Sequence, residues 1–408
     1  MRILFLSHYF PPEVNAPANR TYEHCRAWAA AGHDVHVVTC VPSHPKGTPF
    51  DGYRKRWYQR ERMDGVTVHR VWTYLAANQG VARRTLNYLS FVPTSMWRAA
   101  RLSRFDIIVA TSPQFFCAVA GYLTSRLTRT RWVFELRDLW PDSVVAVGAL
   151  ERGLALRRLE RLELRMYRHA ERVVCVTRSF MANLEARGIP ASKLVFVPNG
   201  IEPDYWCAPG PQDVRAALGV GADDVLVSYV GTVGMAHGLG TVLEAAGRLR
   251  VENPRVRFLV VGAGAELDAS RAYVAGQGLS NVTFTGLVPR ERARDLLAAS
   301  DVSLVTLRDS PLFRTVLPSK MFEAMAAGKP IVLGVAGEAS EVLHRAGCGL
   351  SVAPGDADAL RCAVERLAGD PETRRRMGEA GRRFVGEQFN RRTWAESYLQ
   401  LLKTVVAT

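Results

Sequence analysis

Short runs that are apolar on both faces alternate with helix-length segments twice over along this chain, and few folds accept such a rhythm. Arg2–Leu6, Val35–Thr39, Val66–Val71, Ile107–Ala110, Trp132–Leu136 and Val173–Val176 form the first series. A helix expected over Pro17–Ala31, stopped by Gly32, is interleaved with them. A strand without a polar face has to be covered by helices on both sides, which is the setting of a parallel sheet. The second series is Val225–Val230, Arg257–Val261, Val282–Thr285, Val302–Val305 and Ile331–Leu333. Helices are expected near Thr241–Val251, Arg290–Ala299, Ser319–Ala327 and Asp356–Leu367. The pattern predicts an α/β protein of two doubly wound, Rossmann-like domains facing a cleft. Two prolines and an Asn-Gly break both periodicities at Val197–Pro203. The expected domains are therefore residues 1–198 and 199–387, with 388–408 available to pack back onto the first.

Charge divides at the same seam. Residues 1–200 hold 29 Lys and Arg against 15 Asp and Glu, whereas residues 201–408 hold 24 of each. The whole net charge of +14 thus belongs to the first domain, which points to a polyanionic partner or else to solubility through scattered arginines. Nucleic acid is excluded as that partner for want of a recognition motif. Two basic-aromatic segments, Arg54–Tyr58 and Gly80–Arg98, suit an anionic membrane surface or, equally, a core helix with ordinary surface arginines. The seven scattered cysteines fit reduced thiols in the cytoplasm. No apolar run is long enough to cross a bilayer, so any membrane contact is expected to be peripheral, on the inner face.

Four segments carry chemistry. In Leu317–Ile331, Pro318 and Ser319 start a helix, Lys320 lies in its first turn and Glu323 follows three residues later. A helix N-terminus with an ammonium favours a diphosphate, and a carboxylate one turn on can accept both hydrogen bonds of a vicinal diol such as ribose. A plain surface Lys–Glu pair gives the same spacing. Ser228–Thr241 is a strand end, a glycine loop and a helix start; Gly231, Thr232, Gly234 and His237 lie in the loop, where backbone amides can approach an anion. In Ser7–Arg20, Asn15 is the expected helix cap. In Val133–Asp142, Arg137, Asp138 and Trp140 follow a strand, so they face a ligand crevice or pair to order the loop. Gly262-Ala-Gly264 lacks the third glycine of a dinucleotide fingerprint, Leu267 standing there, and no P-loop or zinc spacing occurs.

Taken in order, these segments resemble the retaining nucleotide-sugar glycosyltransferases of family 4, which have the GT-B fold. Phe10-Pro-Pro-Glu13, Gly32-His-Asp-Val35, Pro198-Asn-Gly-Ile201, Gly231–Gly238, Gly262–Gly264, Gly286-Leu-Val288 and Pro318–Pro330 carry the likeness. Arg137–Ser143 is similar to a bacterial subgroup of O-antigen or capsule transferases, including N-acetyl-fucosamine transferase-like proteins. The resemblance implies that Glu323 holds the donor ribose and that Gly286, Leu287 and Val288 meet the base. It also implies a diphosphate between the Gly231–Gly238 loop and Ser319-Lys320, near Gly262 and Gly264. Three positions depart from the family pattern. Thr315 replaces an upstream Glu, Thr232 and His237 replace basic residues, and Asn15-Ala16 replaces Gly-Gly.

The expected activity is transfer of a sugar, an N-acetylated hexosamine or deoxyhexosamine, from a UDP-type donor with retention. The acceptor expected is a lipid-linked or other saccharide. Lys320, Arg314, His237 and Asp138 are the candidate catalytic residues; Asn15, Arg137, Trp140 and Asn199 belong to the acceptor or interdomain side. No cofactor is expected beyond the donor itself, and no metal, since no Asp cluster suggests one. A nucleotide-sugar 2-epimerase of the same fold and a non-enzymatic basic membrane-binding protein are the alternatives.

Overall fold

The computed structural model describes residues 1–76, 81–102, 104–140, 153–207 and 213–408. Gly80 and Pro141–Ser143 lie outside the described residues. The chain divides into two compact units, residues 1–198 with 392–408, and residues 199–391.

The first unit holds eight strands: β1 (Arg2–Leu6), β2 (Asp34–Cys40), β3 (Tyr58–Met63), β4 (Val66–Val71), β5 (Ile107–Thr111), β6 (Arg131–Leu136), β7 (Arg172–Cys175) and β8 (Leu194–Phe196). Their order is β3-β4-β2-β1-β5-β6-β7-β8. All neighbours are parallel except β3, which forms an antiparallel hairpin with β4. The turn is Asp64-Gly65, both at positive φ, a pairing that matches the twist of a tight hairpin. Reading Arg54–Tyr58 as a basic-aromatic cluster missed this strand, because an edge strand rich in Arg and Glu has no apolar run to give it away.

Across these strands runs a hydrogen-bonded row. His36 Nδ1 lies 2.9 Å from His69 Nε2, and His69 Nδ1 lies 2.9 Å from the Tyr58 hydroxyl, which also accepts from Arg98. Burial depresses both imidazoles, His69 to about 3, and His8 in the same unit falls to about 4.

The segment expected to be interfacial is one helix, Val81–Arg101. Phe91 and Ser95 are buried on one side, while Leu86, Leu89 and Trp97 are exposed on the other. Trp57 is 58% exposed and its ring centre lies 6.1 Å from that of Trp97. The core-helix alternative and the surface alternative each describe one face of the same element.

The second unit has a wholly parallel sheet of β9 (Val225–Val230), β10 (Val256–Val261), β11 (Val282–Gly286), β12 (Val302–Thr306), β13 (Ile331–Gly334) and β14 (Gly349–Ser351), in the order β11-β10-β9-β12-β13-β14. Chain order reverses direction between β9 and β12. That switch leaves a crevice beyond their carboxyl ends, where loops turn away to opposite sides.

The last helix, Arg391–Ala407, returns to the first unit. Tyr398, Leu399, Leu402 and Val405 join the core of Ile3, Phe5 and Trp28, and the Trp28 indole donates to Ala395 O at 3.0 Å. The return begins at Arg392 rather than residue 388, because Ile201 and Asn390 pair as a parallel bridge and Arg391 N donates to Ile201 O.

Candidate functional site

In the second unit three loops leave neighbouring strands and lock together. Gly231 N donates to Val261 O, Val233 N to Ala263 O, and Gly262 N to Gly286 O. No side chain fits at the crossings. A Cβ on Gly262, whose φ is +135°, would lie 1.9 Å from Gly231 O, and one on Gly264 would lie 2.1 Å from Val233 O. The G-x-G that failed as a dinucleotide fingerprint therefore shapes the Gly231–Gly238 loop. Thr306 Oγ1 and Arg308 N pin the far end of that loop through the carbonyls of His237 and Ala236. The loop is thereby fixed over the switch between β9 and β12.

Two helices begin at this crevice, Leu239–Glu252 and Ser319–Ala326, and neither has a side-chain cap. Their first-turn amides are suited to an anion. Lys320 sits in the first turn of the second helix. Its Nζ donates to the Tyr229 hydroxyl at 2.6 Å, and that hydroxyl donates to Thr232 O at 2.6 Å. Tyr229 thus ties Lys320 to the glycine loop, a role nothing in the sequence singled out. Gly231 keeps the space open, since a Cβ there would come within 3.3 Å of Lys320 Nζ. Burial lowers the ammonium to about 7, with only partial relief from Glu323.

The half-buried Glu323 lies one turn further along. Burial raises its carboxyl, opposed by the charges of Arg290, Lys320 and Arg391. Arg290 stands over the Tyr205 ring at 4.5 Å, and Arg391 donates from Nη2 to Gly200 O at 2.8 Å. Sequence reasoning did not name either arginine, because nothing in local spacing connects them to Glu323. Leu287 is exposed and Val288 packs against the core beside them.

The other sequence candidates fall into place differently. His237 Nδ1 lies 3.3 Å from Gly234 O, and burial with the charge of Lys320 holds its imidazole at about 4. It is neutral near pH 7, so it offers a hydrogen bond in place of the positive charge expected of it. Arg314 is surface-exposed in an ion pair with Asp309 at 3.1 Å. Of the expected cations, Arg314 is the exposed one and Lys320 the half-buried one. Thr232 and Ser319 are exposed on either side of it. Among the described residues, no group of three His, Cys, Asp or Glu side chains is arranged to hold a metal ion.

In the first unit, Asn15 caps the Ala16–Ala30 helix, accepting from Ala18 N at 2.9 Å. Arg137 follows β6, and its backbone N–H donates to Ser112 Oγ at 2.8 Å. Trp140 stacks on Phe115 with ring centres 4.1 Å apart. Asp138 has contacts of its own, as has Asn199, the first residue of the second unit. Beyond β1 and β2, a shallow open crevice is bordered by His8, Tyr9, Glu13, His44, Arg84 and Tyr88.

Comparison with known families decides what this architecture belongs to. The family described as "Glycosyl transferase 4-like domain" matches residues 15–200, and "Glycosyl transferases group 1" matches residues 212–384. The chain is a glycosyltransferase of family 4 with the GT-B fold. This glycosyltransferase is 28% identical over 341 residues to the colanic acid biosynthesis glycosyl transferase WcaI of Escherichia coli strain K12, covering 82% of this chain and 83% of WcaI. Among solved structures, sucrose-phosphate synthase from Thermosynechococcus elongatus superposes with a TM-score of 0.78 at 22% identity, covering 100% of this chain and 99% of that one. Anabaena Alr3699/HepE in complex with UDP superposes with a TM-score of 0.74 at 18% identity, covering 99% and 100%. These two structural likenesses establish the fold. The enzyme class sets aside the non-enzymatic alternative. No described helix is long and apolar enough to cross a membrane.

Proposed function

We propose that the enzyme moves an N-acetylated hexosamine or deoxyhexosamine from a UDP-sugar to a hydroxyl of a saccharide acceptor, with retention, in the assembly of a surface polysaccharide. The observation that carries the donor half is the placement of Lys320 and Glu323 one turn apart, at the uncapped start of a helix beside the glycine-locked loop. The helix end and Lys320 receive the diphosphate, while Glu323 receives the ribose hydroxyls. UDP as the nucleotide is supported by its presence in HepE, and the polysaccharide setting by the name of WcaI.

In the reaction the bond from the anomeric carbon to the β-phosphate oxygen breaks, and its electron pair stays on the leaving diphosphate. The acceptor oxygen bonds to the same face of that carbon, and its proton passes to the leaving phosphate. Negative charge grows on the diphosphate in the transition state. Positive potential already in place there, from Lys320 and the helix ends, lowers the barrier without reorganisation. His237, being neutral, supplies a directed hydrogen bond.

The acceptor belongs to the first unit and is lipid-linked. The exposed stripe of Leu86, Leu89 and Trp97, extended by Trp57 and flanked by Arg54, Lys55, Arg56, Arg83 and Arg101, suits the headgroup region of an anionic bilayer.

Incubation of the enzyme with a panel of UDP-sugars and lipid-linked saccharides tests the reading. The expected result is an acceptor-dependent product with the donor's anomeric configuration by NMR, lost in Lys320→Ala. Conversion of a UDP-sugar to its epimer without any acceptor would establish the 2-epimerase instead.

A further inference from the structure

Arg137 is a feature of the first unit that packing does not explain. Among the described residues its guanidinium makes no hydrogen bond or ion pair, and Nε and Nη1 are enclosed without a partner. The carboxylate beside it is half engaged, and its enclosed Oε2 makes no hydrogen bond to Arg137. Glu135 Oε1 accepts from Arg20 Nε at 3.0 Å, while the other nitrogens of Arg20 donate to Val197 O and Pro198 O. Glu135 attracts Arg137 through space, and Arg20 repels it. Two guanidiniums thus share one carboxylate, which leaves one positive charge in excess in a poorly solvated place. Burial pulls Arg137 down to about 10, yet it stays protonated at neutral pH. An enclosed cation with unused donors destabilises a fold, so its presence calls for a ligand.

The surroundings indicate what kind. Arg137 leaves the carboxyl end of β6, next to β5, and β5 adjoins β1. Trp140 stacks on Phe115, and Gln114 Nε2 donates to the Tyr9 hydroxyl at 3.1 Å. Asn15 Nδ2, in the loop that leaves β1, is a second enclosed donor without a partner. Aromatic rings with amide and guanidinium donors are the chemistry that receives a saccharide bearing negative charge.

We propose that Arg137 binds an anionic group carried by the acceptor, either a sugar carboxylate or a phosphate of its lipid linkage, through guanidinium donors that the fold leaves unused. This rests on the reading that the first unit takes the acceptor. Arg137 then selects among acceptors by charge, and Asn15 adds a neutral donor on the same side.

Thermal unfolding of the whole enzyme with saturating UDP, which occupies the Lys320 site, tests the proposal with two probes, inorganic pyrophosphate and glucuronate. One of them is expected to stabilise the wild type: pyrophosphate marks a phosphate, glucuronate an acidic sugar. Arg137→Met should bind that probe about 10- to 100-fold more weakly. Its melting temperature without probe should equal or exceed that of wild type, because an unpaired buried cation has been removed. Should Met not be tolerated, Arg137→Lys keeps the charge without the planar fork and should weaken binding by a smaller factor. Equal stabilisation of wild type and variant, or no response of the wild type to either probe, overturns the proposal. UDP alone should stabilise wild type and Arg137→Met equally. Absence of that effect would count against the donor reading and leave the comparison at Arg137 readable.

Discussion

The Lys320 ammonium donates to the Tyr229 hydroxyl at 2.6 Å and makes no ion pair with Glu323, which lies one turn further along the same helix. A neutral partner and partial burial leave the cation under-stabilised until an anion arrives. The site is therefore poised for charge and not satisfied by its own residues.

Binding of UDP should take up protons. With Lys320 at about 7, it is half protonated near pH 7, and a bound diphosphate raises its affinity for protons. Calorimetry in buffers of different ionisation enthalpy should give an uptake of about half a proton per UDP at pH 7, increasing toward pH 8. Affinity should be flat below pH 7 and weaken above it. Lys320→Met should abolish the uptake, reduce turnover by at least about 100-fold, and leave unliganded stability unchanged or raised. An uptake that persists in the variant would place the titrating group elsewhere.

Glu323 should read the ribose. Among the described residues its carboxyl has no hydrogen-bond partner, so a 2′,3′-diol can supply both donors. Glu323→Ala should weaken UDP binding by about 10- to 100-fold. The wild type should discriminate between UDP and 2′-deoxy-UDP, and the variant should lose most of that discrimination. If UDP and its deoxy analogue bind the wild type equally, the carboxylate has another task.

Docking on lipid should follow from the exposed face of the Val81–Arg101 helix. Flotation with vesicles containing anionic lipid should carry the enzyme at low salt and release it at high salt. Trp57→Ser with Trp97→Ser should reduce the fraction carried at low salt, and neutral vesicles should bind little. Equal recovery with neutral and anionic vesicles at every salt concentration would count against electrostatic docking.

Acid should weaken the first unit through its buried imidazoles. The folded values of His69, about 3, and His8, about 4, lie below the ordinary 6.5. The unfolded chain therefore binds protons that the native state refuses as pH falls below 6.5, and stability falls with pH down to the folded values. Each such histidine contributes a slope approaching about 1.4 kcal/mol per pH unit. Urea unfolding at pH 7, 6 and 5 should show this loss, and His69→Gln should reduce the slope. Identical slopes for wild type and variant would mean that His69 does not titrate in this way.

Much of the architecture was legible because strands buried on both faces have no polar positions to hide them. Val225–Val230 shows it: apart from Ser228 it is apolar, it lies between Asp224 and Gly231, and it forms a strand with those limits, whereas Val66–Val71 forms its strand although it carries Thr67, His69 and Arg70. β3 was not legible, since its Arg- and Glu-rich edge takes its identity from pairing with β4. Lys320 and Glu323 were readable as a pair because helical spacing is a local property.

The sequence by itself determined two βα series, the break near Asn199-Gly200, and the residue types of the donor loop, since periodicity and turn chemistry act over a few residues. Only the tertiary structure decided which charges count. Tyr229 engages Lys320, Arg314 pairs with Asp309 at the surface, burial neutralises His237, and Glu135 accepts from Arg20 and not from Arg137. Each of these depends on partners or burial brought by distant segments or by the packed fold. Electrostatic fate is set by distance and desolvation in space, and neither is written in the order of the residues.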